Sequence, residues 1–273
     1  MGLPEESGRR VRLLSYSTVV ARLRAAGCVF AEDEATLLLA AARTPEELER
    51  LVGERAGGLP LEVVLGWAEF RGLRIAVAPG VFVPRRRTEL LVAEAVAGAA
   101  PGAVVVDLCC GSGAVGVAIA TELGHAELHA ADLEPEAVRC ARRNVEPLGG
   151  RVYEGDLYEP LPENLRGRID VLAVNAPYVP TDAIETMPPE ARLYEPRTAL
   201  DGGADGLAVQ RRVIAGAPRW LAPGGRLLIE TSRAQAPHTA AAFEAHGLAA
   251  RVANSEELDG TVVIGSAQAR PAV

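Results

Sequence analysis

The sequence predicts an α/β protein: a mostly parallel seven-stranded sheet whose last strand is reversed, preceded by a small helical region and a β-hairpin. Three observations carry this. From residue 103 onward, short apolar runs rich in β-branched residues alternate with stretches of helical spacing. The run V-V-V-D-L passes through a glycine-bearing turn, C-C-G-S-G, directly into the helical spacing of Ala114, Val117, Ala118 and Ile119. The last two apolar runs are separated only by residues 254–260, too few for a helical crossover, so these strands must pair antiparallel.

In chain order, the N-terminal region is helical. Val19, Val20 and Leu23, then Leu37, Leu38 and Leu39, recur at helical spacing, with Gly27 as a stop between them. Thr44-Pro45-Glu46-Glu47 supplies an N-cap, a proline at the first helical position and a capping-box glutamate ahead of Leu48, Leu51 and Val52. From Trp67 the pattern W-A-E-F, R-G, L-R-I-A-V alternates as a hairpin does. This divides the chain into a helical domain (1–66), a hairpin connector (67–83) and a main domain (84–273). Helical spacing resumes over 88–97. Strands are then expected at 103–108, 126–131, 151–154, 169–174, 226–230, 249–253 and 261–265, with helices at 114–123, 135–145, 207–220 and 236–246. Residues 176–206 are rich in Pro, Asp and Gly and show no period, which predicts a long functional loop.

Composition narrows the function classes. A formal net charge of −8 argues against broad affinity for nucleic acid. There is no lysine, which removes Schiff-base chemistry and the P-loop lysine. Cys28, Cys109, Cys110 and Cys140 show no CxxC pairing and the four histidines no ligand spacing, so no metal site is expected and the thiols are expected to be reduced packing residues. No apolar run approaches membrane-spanning length, and the N-terminal MGLPEESGRR lacks the apolar core of a signal peptide; the cytoplasm is the expected compartment.

The chemistry gathers at strand ends. Gly111, Gly113 and Gly116 spell GxGxxG, and Asp132 ends the next apolar run, where a carboxylate could hold ribose hydroxyls of either NAD or S-adenosylmethionine. A parallel sheet closed by a reversed strand favours the second. Asn175-Ala176-Pro177-Tyr178 follows the strand I-D-V-L-A-V. An Asn side-chain oxygen and a backbone carbonyl can each accept one N–H of a poorly nucleophilic NH₂ group, aligning it with an electrophilic methyl, while Tyr178 stacks on the planar group. No strong base is needed; alignment and preorganised dipoles supply the rate.

The chain resembles the HemK/PrmC family of protein-glutamine N5-methyltransferases over nearly its full length. The resemblance rests on P-L-E-V-V-L-G-W-A-E-F-R-G-L, V-F-V-P-R-R-R-T-E-L-L-V, D-L-C-C-G-S-G, E-G-D-L-Y-E-P-L, N-A-P-Y, Y-E-P-R-T-A-L-D-G-G-A-D-G-L and L-A-P-G-G-R-L-L-I-E. It implies a Rossmann-like class I methyltransferase fold and S-adenosylmethionine as cofactor, with no metal. The cofactor would lie against Asp107, Cys109, Cys110, Gly111, Ser112 and Gly113, with its ribose on Asp132 beside Leu133, its adenine edged by Asp156 and Leu157, and Asn175 close to both ligands. The substrate amide would sit against Asn175, Ala176, Pro177 and Tyr178, with Asn175 and Tyr178 catalytic. A helical N-terminal domain would grip a protein substrate, commonly a translation release factor carrying a GGQ loop. Ala176 departs from the family's proline, Cys109-Cys110 from its Gly-Thr, and Arg85-Arg86-Arg87 from a stretch bearing Pro-Glu. The residues alone leave other readings open: an adenine amine in nucleic acid as acceptor, a nicotinamide-dependent oxidoreductase, or a cofactor-binding module without turnover. The arginine triplet is expected to be a solvated face, and Trp67 and Phe70 to pack between domains.

Overall fold

The computed structural model describes residues 14–267. The N-terminal segment that argues against a signal peptide lies, with residues 268–273, outside the described residues. The chain divides into two compact units, Met1–Gly66 and Trp67–Val273.

The first unit holds four helices, α1 (Tyr16–Ala25), α2 (Ala31–Ala41), α3 (Pro45–Ala56) and α4 (Leu61–Leu65). Its core is Val19, Leu23, Ala35, Leu38 and Val52, all fully buried. The Thr44 hydroxyl accepts the N–H of Glu47 at 3.2 Å, and the Glu47 carboxylate turns back to the N–H of Arg43 at 2.8 Å, one residue earlier than a standard capping box. Buried Arg55 meets buried Glu34 through two parallel bonds of 2.6 and 2.9 Å, tying α3 to α2. A pair of this geometry fixes how the two helices sit more than it adds net stability.

The second unit opens with the hairpin β1 (Trp67–Phe70) and β2 (Leu73–Ala76), then α5 (Glu89–Ala97). Alternation follows: β3 (Val104–Leu108), α6 (Ala114–Leu123), β4 (Glu127–Asp132), α7 (Pro135–Val145), β5 (Arg151–Glu154), β6 (Ile169–Val174), α8 (Pro189–Tyr194), α9 (Ala208–Gly216), β7 (Leu221–Glu230), α10 (Ala236–Ala245), β8 (Leu248–Ser255) and β9 (Gly260–Ala267). The sheet order is β5-β4-β3-β6-β7-β9-β8, parallel from β5 to β7, with β9 antiparallel to both neighbours. Each face carries its own core. Val105, Val171, Ala173 and Leu228 face α5 and α6, while Val106, Leu172, Ile229 and Val263 face α9 and α10. Burial on both faces is why these strands read as continuous apolar runs.

The hairpin does not stand apart as a connector. Phe70 and Ile75 are buried in the second unit's core, and Asn144 of α7 bonds both the N–H and the carbonyl of Ala76 at 2.9 Å. Phe70 therefore packs within this unit, and Trp67 lies under the Arg74 guanidinium at 4.1 Å. Residues 176–206 are also more regular than expected, holding 3-10 turns at Thr181–Thr186 and Arg197–Ala199 around α8. Prolines at 180, 188, 189 and 196 start and stop each piece within two turns, too short for a period to register. Among the described residues no helix is long and apolar enough to cross a membrane.

Candidate active site

The parallel strands end along one edge of the sheet, and each end presents a polar residue: Asp107 in β3, Asp132 closing β4, Asp156 just past β5, Asn175 just past β6 and Glu230 closing β7. Ligands of open α/β sheets bind at this edge. A cleft of about 610 Å³ opens over it, its lining including Asp107, Cys109, Cys110, Gly111, Ser112, Asp132, Leu133, Asp156 and Leu157 together with Asn175, Ala176, Pro177 and Tyr178. Gly113 is the one expected site residue outside this lining. It takes φ +78 at the start of α6, and a Cβ there would meet Val145 of α7 at 2.8 Å, so its part is to let helix and turn close up.

The turn after β3 is held by carboxylates. Asp132 accepts the N–H of Gly111 at 2.8 Å through one oxygen and that of Glu134 at 3.0 Å through the other. Asp107 is fully buried and accepts the N–H of Gly116 at 2.8 Å. A Cβ on Gly116 would stand 3.0 Å from that of Asp107, so only glycine lets α6 approach β3 this closely. Burial pushes the Asp107 carboxyl up to about 8 and raises Asp132 as well. Cys109 and Leu157 face the cleft in left-handed backbone, φ +59 and +51, which costs of order 1–3 kcal/mol per side-chain-bearing residue and concentrates strain at the ligand-facing turns. Burial raises both the Cys109 and Cys110 thiols, which keeps them un-ionised and leaves them as packing groups. Asn144 also donates to the carbonyl of Ser112 at 2.8 Å, so one side chain joins hairpin, α7 and turn.

The N-A-P-Y loop is clamped by the segment that follows it. Val179 exchanges main-chain bonds with Leu200 and Gly202, Thr181 bonds Gly203, and the Asp201 carboxylate accepts the Thr181 hydroxyl at 2.6 Å. Gln235 donates to the carbonyls of Tyr178 and Asp205 at 2.9 and 3.0 Å. The motif Y-E-P-R-T-A-L-D-G-G-A-D-G-L is thus the brace of the loop. Gly206, at φ +75, sits where a Cβ would lie 2.3 Å from the Tyr178 carbonyl. Gly206→Ala is accordingly expected to displace that carbonyl and lower turnover about tenfold, with cofactor affinity little changed. Steady-state rates beside calorimetric titration check this; equal loss of both would mean general unfolding instead.

Sequence reasoning missed a set of groups behind the loop. The Tyr178 hydroxyl donates to Glu230 at 3.1 Å, and Asn175 donates to the Thr88 hydroxyl at 3.5 Å. Burial pushes Tyr178 up, so its hydroxyl keeps its proton and donates. Glu195 is buried against the N–H of Val83 and the Arg85 guanidinium, and Arg87 stands 3.7 Å from Glu230. The arginine triplet is therefore a solvated face only in part: Arg86, opposite exposed Glu257, and Arg87 are exposed, but Arg87 also stands 3.7 Å from buried Glu230, and Arg85 pairs with buried Glu195. Glu230 ends an apolar run, L-L-I-E, as Asp132 does, so the same strand-end rule would have found it. Thr88 and Gln235 carry no such signal.

This fold and edge define a Rossmann-like methyltransferase, and the comparisons agree. Residues 72–188 match the family model described as "Methyltransferase small domain". A methyltransferase from Pyrococcus furiosus has the same fold at a TM-score of 0.56 and 17% identity, covering 72% of this chain and 90% of that one. The release factor glutamine methyltransferase of Geobacter sulfurreducens is 43% identical over 208 residues, covering 74% of this chain and 72% of that protein. The chain belongs to the release factor glutamine methyltransferase family. A further relative, the 4-amino-L-phenylalanine/4-methylamino-L-phenylalanine methyltransferase of Streptomyces pristinaespiralis, is 36% identical over 74% of this chain and 71% of its own length.

Proposed function

We propose that this protein methylates the side-chain amide nitrogen, N5, of a protein glutamine, that of the GGQ loop of a peptide chain release factor. The observation that carries the reading is that the N-A-P-Y loop lines one cleft together with the Asp132 and Asp156 carboxylates. The residues present suit S-adenosylmethionine. Asp132 and Asp156 offer acceptors for ribose and adenine donors, and Leu133, 55% exposed at the cleft, offers an apolar face that an adenine would cover. When bound, S-adenosylmethionine would supply an electrophilic methyl to the amide nitrogen, its S–CH₃ bond breaking as the N–CH₃ bond forms, with S-adenosylhomocysteine as leaving group and the surplus N–H proton lost to solvent once the product leaves the site. The protein's part is positioning. Asn175 Oδ1 and the Ala176 carbonyl, which accepts no main-chain hydrogen bond among the described residues, are the acceptors for the two N–H groups of the amide. Tyr178 covers the planar group and excludes water. Ala176 keeps the carbonyl that the family's proline provides, so this departure leaves the acceptor in place.

The helical unit is the proposed grip on the protein substrate. Val29 and Phe30, 83% and 68% exposed between α1 and α2, give it an apolar point of contact. A translation factor as substrate puts the reaction in the cytoplasm. The relative acting on 4-amino-L-phenylalanine supports a second reading, an arylamine acceptor, since its NH₂ group meets the same two acceptors. The test is transfer of labelled methyl from S-adenosylmethionine to purified release factor, with the native GGQ loop and with a Gln→Ala loop. Label on the native loop alone is the expected result. Label on free 4-amino-L-phenylalanine and none on the factor would install the second reading, and label on neither would remove both.

A further inference from the structure

Two stretches of the cleft lining that the proposed chemistry does not use meet at one carboxyl oxygen. The first, residues 81–85, is V-F-V-P-R; the second, residues 194–201, is Y-E-P-R-T-A-L-D. Glu195 Oε1 accepts the N–H of Val83 at 3.2 Å and an N–H of the Arg85 guanidinium, across 112 and 110 positions of sequence. This oxygen accepts in either state of the carboxyl, because Oε2, buried with no hydrogen-bond partner, is the atom left to carry a proton. The junction is stiff. Val83 and Glu195 each precede a proline, which restricts them to extended backbone, and Glu195 holds φ −94 and ψ 145. The N–H of Glu195 is itself bonded to the carbonyl of Ala191 at 3.0 Å.

Each stretch continues to a different part of the site. Phe82 lies beside the turn after β3, where a Cβ on Gly111 would stand 3.9 Å from that of Phe82, and the Arg85 guanidinium rests 5.3 Å from the centre of the Phe82 ring. Five residues beyond Glu195, the Leu200 carbonyl accepts the N–H of Val179, the residue that follows the N-A-P-Y loop. Phe82, Arg85, Glu195 and Leu200 all line the cleft. We propose that Glu195 and Arg85 are positioning residues: their junction ties the turn after β3 to the acceptor loop and sets the spacing between the methyl donor and the amide nitrogen. This deepens the function inferred above and rests on its assignment of cofactor and amide to this cleft. A misplacement of about 1 Å between reacting groups costs about 10²-fold in rate, so a tie of this kind acts on turnover more than on the affinity for the cofactor alone.

Two variants separate the hydrogen bonds from the bulk of the side chain. Glu195→Ala removes the shared acceptor; Glu195→Gln keeps it. In Glu195→Ala, kcat is expected to fall about 10- to 100-fold with the Kd for S-adenosylmethionine, measured by calorimetry, within about threefold of wild type. Glu195→Gln is expected to stay within about threefold of wild type in kcat. A second readout needs no methyl acceptor. The Val83 amide should exchange with deuterated solvent at least about tenfold faster in Glu195→Ala, and at close to the wild-type rate in Glu195→Gln. A Glu195→Ala variant with wild-type kcat would overturn the proposal. So would one whose cofactor affinity falls as far as its kcat, which is general loss of structure, or a Glu195→Gln variant as impaired as Glu195→Ala. Should the wild-type protein transfer no methyl to release factor, the functional reading fails by itself, and Val83 exchange still decides whether the junction holds.

Discussion

Asn175→Ala is expected to lose about 10²–10³-fold in methyl transfer, equivalent to about 3–4 kcal/mol of transition-state stabilisation, while remaining folded. The side chain lies just past the end of β6, whose last four residues are fully buried, so its removal leaves the sheet intact. What is lost is one of two acceptors that hold the amide nitrogen, and with it the alignment on which a weak nucleophile depends. Cofactor affinity should change less, because Asp132, Leu133, Asp156 and the turn after β3 remain in the cleft lining as its other contacts. Single-turnover rates at saturating S-adenosylmethionine, beside calorimetric Kd values, make the comparison. A variant within about threefold of wild-type rate would remove Asn175 from the mechanism.

Asp107→Asn is expected to make the protein less sensitive to alkaline pH. The folded-state carboxyl is pushed up to about 8 by burial, with Asp132 adding to the shift and the Gly116 N–H opposing it. In the unfolded chain the same group has its ordinary value near 3.8. Between those values the folded state holds a proton that the unfolded state has released. Stability therefore falls as pH rises through that window, and the loss is complete above about 8. The amount is of order a few kcal/mol. Asp132, Glu195 and Glu230 are also raised by burial and act in the same direction, so the informative quantity is the difference between variant and wild type. Asn keeps an oxygen for the Gly116 N–H. Urea unfolding at pH 5 to 9 should give a stability difference that grows in the variant's favour with pH. Parallel curves would mean that Asp107 is ionised throughout.

Regular elements were legible where one physical signal dominated. α6, α7, β5 and β6 begin and end where the sequence places them; Pro135 fixes the start of α7, and a continuous apolar run marks β6, which is buried on both faces. β7 was read five residues short. Its first residue, Leu221, pairs with Ile169, but the strand then passes Pro223-Gly224-Gly225, a register irregularity that mimics a turn. The short helices of 176–206 left no period to read. For the cleft, the strand-end rule located Asp107, Asp132 and Asn175, and the family resemblance supplied Leu133, Asp156 and Leu157. In the buried backing of the loop, Glu230 follows the same strand-end rule, whereas Thr88 was not readable: it precedes α5 in sequence and meets Asn175, 87 positions away, only through the fold.

The reversal of β9 has a bearing on how the protein survives at high concentration. Threading the last strand between β7 and β8 places G-T-V-V-I-G, buried along its length, inside the sheet. The margin falls instead to β8, whose exposed positions include Arg251, ion-paired to Glu94. The opposite margin is β5, only four residues long and bounded by exposed Arg151 and Glu154. Short or charged borders of this kind discourage the edge-to-edge pairing through which sheets aggregate. Had the two C-terminal strands exchanged places, the most adhesive segment of the chain would form an open border, available to any unpaired strand in the cell.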